Sequence, residues 1–185
     1  LHIVREMYPD IEAVFADTGL EYPEIRRFVK TFDNVTILRP KMRFDEVIRR
    51  YGYPIISKEV SYCVSGGRIA MERKNGTYTS ELKKMRGEVI GKDGEKSRYN
   101  HEKYEPLLHV DFFISGTCCE IMKKRPAKKF ERESNKTPII ATLVDESALR
   151  KSNWLKYGCN AFDAKRQKSA PMSFWTEQDV LQYIK

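Results

Sequence analysis

No apolar run in this 185-residue chain approaches the roughly 18 residues that a membrane-spanning helix requires. A charged start followed by an apolar segment and a small-residue cleavage site is also missing, so no secretory leader is expected. Both absences predict a soluble, cytoplasmic protein without a membrane partner. Cysteine is scarce: Cys63, Cys118, Cys119 and Cys159 are too few and too unevenly placed for a secreted disulfide scaffold. They are left to metal binding, redox chemistry or burial. Neither an internal repeat nor a low-complexity tract breaks the chain.

What is present suits one ordinary globular domain. Hydrophobic residues make up 41% and charged residues 32%, enough apolar material for an unaided core. The 34 Lys and Arg outnumber the 26 Asp and Glu and give a formal charge of +8. That surplus favours an anionic partner such as a nucleotide, a sulfate ester or nucleic acid, and it equally describes a solvated basic surface.

Apolar positions in Leu1–Met7 recur at helical spacing without a capping residue ahead of them, so the chain is expected to begin inside a helix. The run Ile11–Ala16 has strand character and ends at the turn-forming Asp17-Thr18-Gly19. A helix opening at Tyr22-Pro23-Glu24 follows, with Ile25, Phe28, Val29 and Phe32 along one side. A second strand, Val35–Leu38, and an amphipathic helix marked by Phe44, Val47, Ile48 and Tyr51 come next. Such alternation predicts an α/β fold in which helices flank both faces of a parallel sheet. Between Ser57 and Glu105 the pattern weakens; helices are expected over 58 to 72 and 78 to 86, followed by an exposed excursion around Gly91–Lys96. Order returns at Leu107–Phe113, and a helix through Phe130 follows Cys118-Cys119. Pro138–Val144 reads as a buried strand, and Thr176 with Asp179 as the cap of a last helix.

Three constellations carry chemistry. Asp17, Thr18 and Gly19 sit after a strand, where ligands bind in open parallel sheets; Asp17 and Thr18 have groups for a ribose or adenine edge, and Gly19 lets the backbone come close. The alternative is a plain turn. Cys118 and Cys119 precede Lys123, Lys124, Arg125 and Pro126; adjacent cysteines seldom bond to each other, and nearby cations favour the thiolates that an iron–sulfur cluster takes. Two buried structural cysteines are the alternative. Ser147 and Arg150 follow the Pro138–Val144 run, as anion contacts or as a helix cap and a surface cation. Cys159 is a third candidate metal ligand beside its plainer role as a lone buried thiol. The basic run Lys165–Lys168 is a phosphate clamp or a solvated loop.

Taken together, the segments Asp17–Glu24, Cys118–Pro126, Asp145–Arg150 and Phe174–Tyr183 resemble, in order, the phosphoadenosine phosphosulfate (PAPS) reductase family of the adenine-nucleotide alpha-hydrolase-like class. The resemblance covers most of the chain and is closest to phage and bacterial PAPS reductase-like proteins. It implies a Rossmann-like three-layer sandwich with a helical and irregular insertion, one domain over residues 1–185. It also implies a phosphate-binding Ser-Gly-Gly-x-Asp-Ser loop before Leu1 and a nucleophilic cysteine beyond Lys185. Ser65-Gly66-Gly67 is no substitute for that loop, because no strand precedes it and the Asp-Ser is missing. The site implied comprises Asp17, Thr18 and Gly19 at the adenosine end, Ser147 and Arg150 near the anion, and Cys118 and Cys119 as ligands of a four-iron four-sulfur cluster. Leu143 stands where relatives carry an arginine, and a neutral side chain cannot offset a phosphate or sulfate. The activity implied is reduction of adenylyl or phosphoadenylyl sulfate to sulfite, with a thiol reductant such as thioredoxin as electron donor. ATP-dependent adenylation and sulfur transfer on nucleic acid, or a non-catalytic nucleotide-binding module, are the alternatives.

Overall fold

A computed structural model describes residues 1–73, 79–164 and 166–185. Tyr78, where the second mid-chain helix was expected to start, and Lys165 of the basic run lie outside the described residues. The fold is mixed α/β, and the described chain forms two compact units, Leu1–Lys128 and Lys129–Lys185.

The first unit opens with α1 (His2–Met7), whose Arg5 guanidinium donates to the Asp33 carbonyl at 2.5 Å. Two strands follow, β1 (Ala13–Ala16) and β2 (Val35–Leu38), joined through α2 (Pro23–Val29). They pair in parallel with Ala13 opposite Val35 and Ala16 opposite Leu38, which is the βαβ arrangement that the alternating pattern predicts. Pro23 takes the first turn of α2, where a missing N–H costs nothing. Among the described residues the sheet has these two strands, so the wider parallel sheet is replaced by a two-stranded one.

Helix α3 (Phe44–Tyr51) buries Val47 against Ile121 and Met122, with Cys118 packed alongside. Gly52 ends it at φ +105°, and a Cβ there would lie 2.6 Å from the Phe113 backbone. The close approach lets Tyr53 N–H donate to the Phe113 carbonyl at 2.8 Å and Ser115 N–H to the Tyr53 carbonyl at 3.1 Å. This parallel bridge, Tyr53 to Ile114, lays residues 53–58 beside the segment that leads into Cys118.

The main core lies where the sequence pattern is weakest. Helix α4 (Lys58–Glu72) and helix α5 (Ser80–Met85) bury Val60, Cys63, Val64, Leu82 and Met85 against Leu108 and Ile114. Ser57 and Thr79 cap these helices by accepting from the Val60 and Leu82 N–H groups. The expected insertion is therefore a folded core, because its apolar residues meet partners some 20 to 50 positions away rather than forming a local run. The order expected at Leu107–Phe113 begins with a 3-10 helix, Glu102–His109. Arg68 donates to the carbonyls of Leu107, Val110 and Phe112, satisfying acceptors that no ladder reaches. Ser65-Gly66-Gly67 lies inside α4, with Gly67 packed on Leu108.

Helix α6 (Arg125–Ser134) follows a π-helical turn, Glu120–Lys124. Pro126 has no N–H to give back along the helix, and the wider turn ahead of it takes up that mismatch. The second unit then holds α7 (Ala148–Tyr157) and α8 (Glu177–Ile184), with Thr176 and Asp179 forming the expected capping box. Pro138–Val144 is not the buried strand predicted for it. It meets residues 169–173 through single bonds and one bridge, Ile139 to Ser169, and Ile139 is exposed. Without a flanking strand on either side, an apolar run has nothing to make a ladder with.

Candidate functional site

The turn after β1 is built from its own side chains. Asp17 and Thr18 are buried, 6% and 8% exposed, at the carboxyl end of the strand. Asp17 N–H donates to the Leu38 carbonyl at 2.9 Å, tying the two strand ends together. The Asp17 Oδ1 accepts the Gly19 N–H at 3.1 Å, while Oδ2 accepts Arg26 Nη2 at 3.0 Å and faces Arg39 Nε at 3.9 Å. Thr18 donates through its backbone N–H and its hydroxyl to the Glu21 carboxylate, at 2.9 and 2.7 Å. Gly19 has φ +82°, and nothing lies within 4 Å of where its Cβ would stand. Open space therefore fronts the turn.

Burial works against the ionised form of Glu21, yet the Thr18 hydrogen bonds, assisted by the charge of Lys123, hold its carboxyl below the usual value. Lys123 follows Cys118 and Cys119 by one turn of the same helix.

Cys118 and Cys119 begin that helix. They line one side of a cleft of about 150 Å³, with Pro54–Lys58 and Gly116 forming the rest. The volume is smaller than a whole nucleotide site, which starts at about 300 Å³. Cys118 is half-buried and Cys119 exposed. Burial, then the neighbouring Cys119, pushes the Cys118 thiol up, and Lys58 opposes them only weakly. Of the basic residues after the pair, Lys124 is engaged by Glu120 at 3.5 Å. Ile56, on the cleft's rim, has φ +62°, a left-handed conformation that costs a β-branched residue strain.

Ser147 and Arg150 belong to the second unit. Ser147 caps α7 by accepting the Arg150 N–H at 3.2 Å, and the Arg150 guanidinium pairs with Glu146. Both therefore fill the roles of helix cap and paired surface cation. Leu143 N–H donates to Glu146 at 3.0 Å. Cys159 also lies in the second unit, where its carbonyl accepts the Ala170 N–H. Among the described residues no group of three or more His, Cys, Asp or Glu is arranged to hold a metal ion. The cleft offers two thiols, and a four-ligand cluster set is not completed there. No helix among the described residues is long and apolar enough to cross a membrane.

Arg26, Arg39 and Lys58 went unmarked in the sequence, where they look like any surface cations. One signal did exist for Arg39: it directly follows the last residue of β2, at the strand's carboxyl end. The chain matches no family model and no curated protein.

Proposed function

We propose that this chain binds an adenine sulfonucleotide at the carboxyl ends of β1 and β2, as a PAPS reductase-like enzyme on a Rossmann-like fold. The observation that carries the reading is the strand-end turn itself: Asp17 and Thr18 lie buried at the carboxyl end of β1, and Gly19 beside them opens on free space. Nucleotides bind at such strand ends because the loops there present free backbone groups around an open crevice. Gly19 offers that opening. Cys118 and Cys119 are proposed as two thiols of an iron–sulfur cluster, and the other ligands are not among the described residues of this cleft.

The reaction proposed is attack of a cysteine thiolate on the sulfate sulfur, breaking its bond to the phosphate oxygen and releasing the nucleotide. A second thiol, from a reductant such as thioredoxin, then releases sulfite and leaves a disulfide, so the two electrons come from the thiols. Titration of the intact protein with adenylyl and phosphoadenylyl sulfate, with sulfite measured in the presence of thioredoxin, tests it. Binding of either nucleotide with sulfite release is expected; neither binding nor release rejects the reading.

A second reading, ATP-dependent adenylation and sulfur transfer on nucleic acid, draws on the +8 charge and on Leu143 in place of an arginine. It predicts pyrophosphate release from ATP that DNA or RNA stimulates, and no sulfite.

A further inference from the structure

The strand-end turn uses up its own acceptors. Both Asp17 carboxylate oxygens are engaged, one by Gly19 N–H and one by Arg26. Both Glu21 oxygens take Thr18 donors. Asp17 and Thr18 therefore have little left to offer a ribose hydroxyl or an adenine edge. The groups with spare hydrogen-bonding capacity are donors. Among the described residues, Arg26 and Arg39 meet no carboxylate other than Asp17, and the Arg39 contact, at 3.9 Å, is too long for a hydrogen bond. Each guanidinium carries five N–H donors, so most of them face outward. The Arg39 side chain is 73% exposed and that of Arg26 43%, whereas the carboxylate that holds them is 7% exposed.

The charge balance points the same way. At Asp17 two cations, Arg26 and Arg39, face one carboxylate, which leaves one positive charge in excess at the carboxyl end of β1.

We infer that Arg26 and Arg39, held side by side by buried Asp17, form a clamp for a tetrahedral oxyanion, phosphate or sulfate, at the carboxyl ends of β1 and β2. Planar guanidinium forks suit such an anion because each can donate two parallel N–H groups to it. Asp17 is a positioning residue here: it holds Arg26 by a hydrogen bond, draws Arg39 towards it by charge alone, and does not touch the ligand. This rests on the preceding reading for the nucleotide that carries the oxyanion, while the clamp itself takes the free inorganic ion as well.

The test follows the Gly19 amide by NMR while sodium sulfate or phosphate replaces sodium chloride at constant ionic strength. A saturable shift is expected in the wild-type protein. Arg39→Gln should weaken it by about tenfold, the loss of charge-assisted hydrogen bonds, and Arg39→Lys by less. Arg27→Gln removes the same charge one residue from Arg26, from a side chain paired with Glu24, and should leave the affinity unchanged. A linear or absent shift overturns the clamp, as does equal weakening by Arg27→Gln and Arg39→Gln. The same variants titrated with adenylyl sulfate separate the two readings. If the nucleotide binds wild-type and Arg39→Gln proteins equally, the clamp is wrong and the nucleotide reading stands. If inorganic sulfate binds through Arg39 and the nucleotide binds no tighter than sulfate, the clamp stands and the nucleotide reading falls.

Discussion

The helical pair α4 and α5 and the β1–α2–β2 segment, both in the first unit, spend their residues in opposite ways. In the helices Val64 and Met85 are wholly inaccessible, and Val60 and Leu82 nearly so. In β1, α2 and β2 no residue is buried; Val14, Ile25, Phe28 and Ile37 are exposed, and the buried groups beside them are the polar Asp17 and Thr18. Apolar burial at roughly 25 cal/mol per Å² makes the first region the source of stability. The second holds its shape by hydrogen bonds and ion pairs and keeps its face open. A recognition surface is expected to differ from a core in this manner, since a ligand needs donors and space that a packed interior has already used.

The comparison breaks most visibly under truncation. Met85→Ala should cost about 2–5 kcal/mol, because a close-packed site cannot refill the void, while Val14→Ala should cost about 0.5 kcal/mol or less. Denaturant midpoints for the two variants decide it, and equal losses would mean that the sheet is as tightly packed as the helices. A smaller effect belongs to Glu59, which joins α4 to α5 through Lys84 at 2.9 Å. The Lys84 hydrogen bond outweighs burial and holds the Glu59 carboxyl below its ordinary 4.5. Because the folded value is depressed, the contribution is complete above 4.5 and is lost as pH falls through the folded value. Glu59→Gln should therefore destabilise by about 0.5 kcal/mol at neutral pH, the pair being half in solvent, and the deficit should vanish in acid. A deficit that persists in acid would point to packing instead of charge.

At the cleft the contrast is between neighbours. Cys119, exposed, should alkylate at least about tenfold faster than Cys118, whose thiol burial pushes up, and mass spectrometry of briefly treated protein reads the ratio. Equal rates would contradict the half-buried placement of Cys118. Replacing Ile56 by Gly relieves the left-handed strain at φ +62° and is expected to raise stability by about 1 kcal/mol. A loss would show that the Ile56 side chain packs more than its exposure indicates.

Where sequence and structure agree, local chemistry decides. Helix α4 spans residues 58 to 72 as its pattern predicts, with Ser57 as cap, and Thr176 with Asp179 starts α8. β2 and α3 likewise follow short-range spacing. Non-local partners account for the differences. The core of α4 and α5 depends on Leu108 and Ile114, which no window of the sequence brings near. The run Pro138–Val144 is apolar enough for a buried strand, and burial also needs strands beside it. At the candidate site, Asp17, Thr18 and Gly19 stood out by their position after β1, and their hydrogen bonds show that they hold the turn together. Arg26 was invisible because only its contact with Asp17 distinguishes it from other surface cations, while Arg39 had its place directly after β2 as a signal. A Cβ at position 19 would meet nothing, so the cost of a side chain there arises from φ +82° and from the space the ligand would need.

Calorimetric titration of intact wild-type and Gly19→Val proteins with phosphoadenylyl sulfate tests the nucleotide site most directly. Circular dichroism on both establishes that the variant is folded. Saturable binding to the wild type, reduced at least about tenfold in folded Gly19→Val, is predicted, since a β-branched residue both strains the turn and fills the space before it. Equal affinity in the two folded proteins, or no binding to the wild type, would contradict a nucleotide site at the carboxyl end of β1.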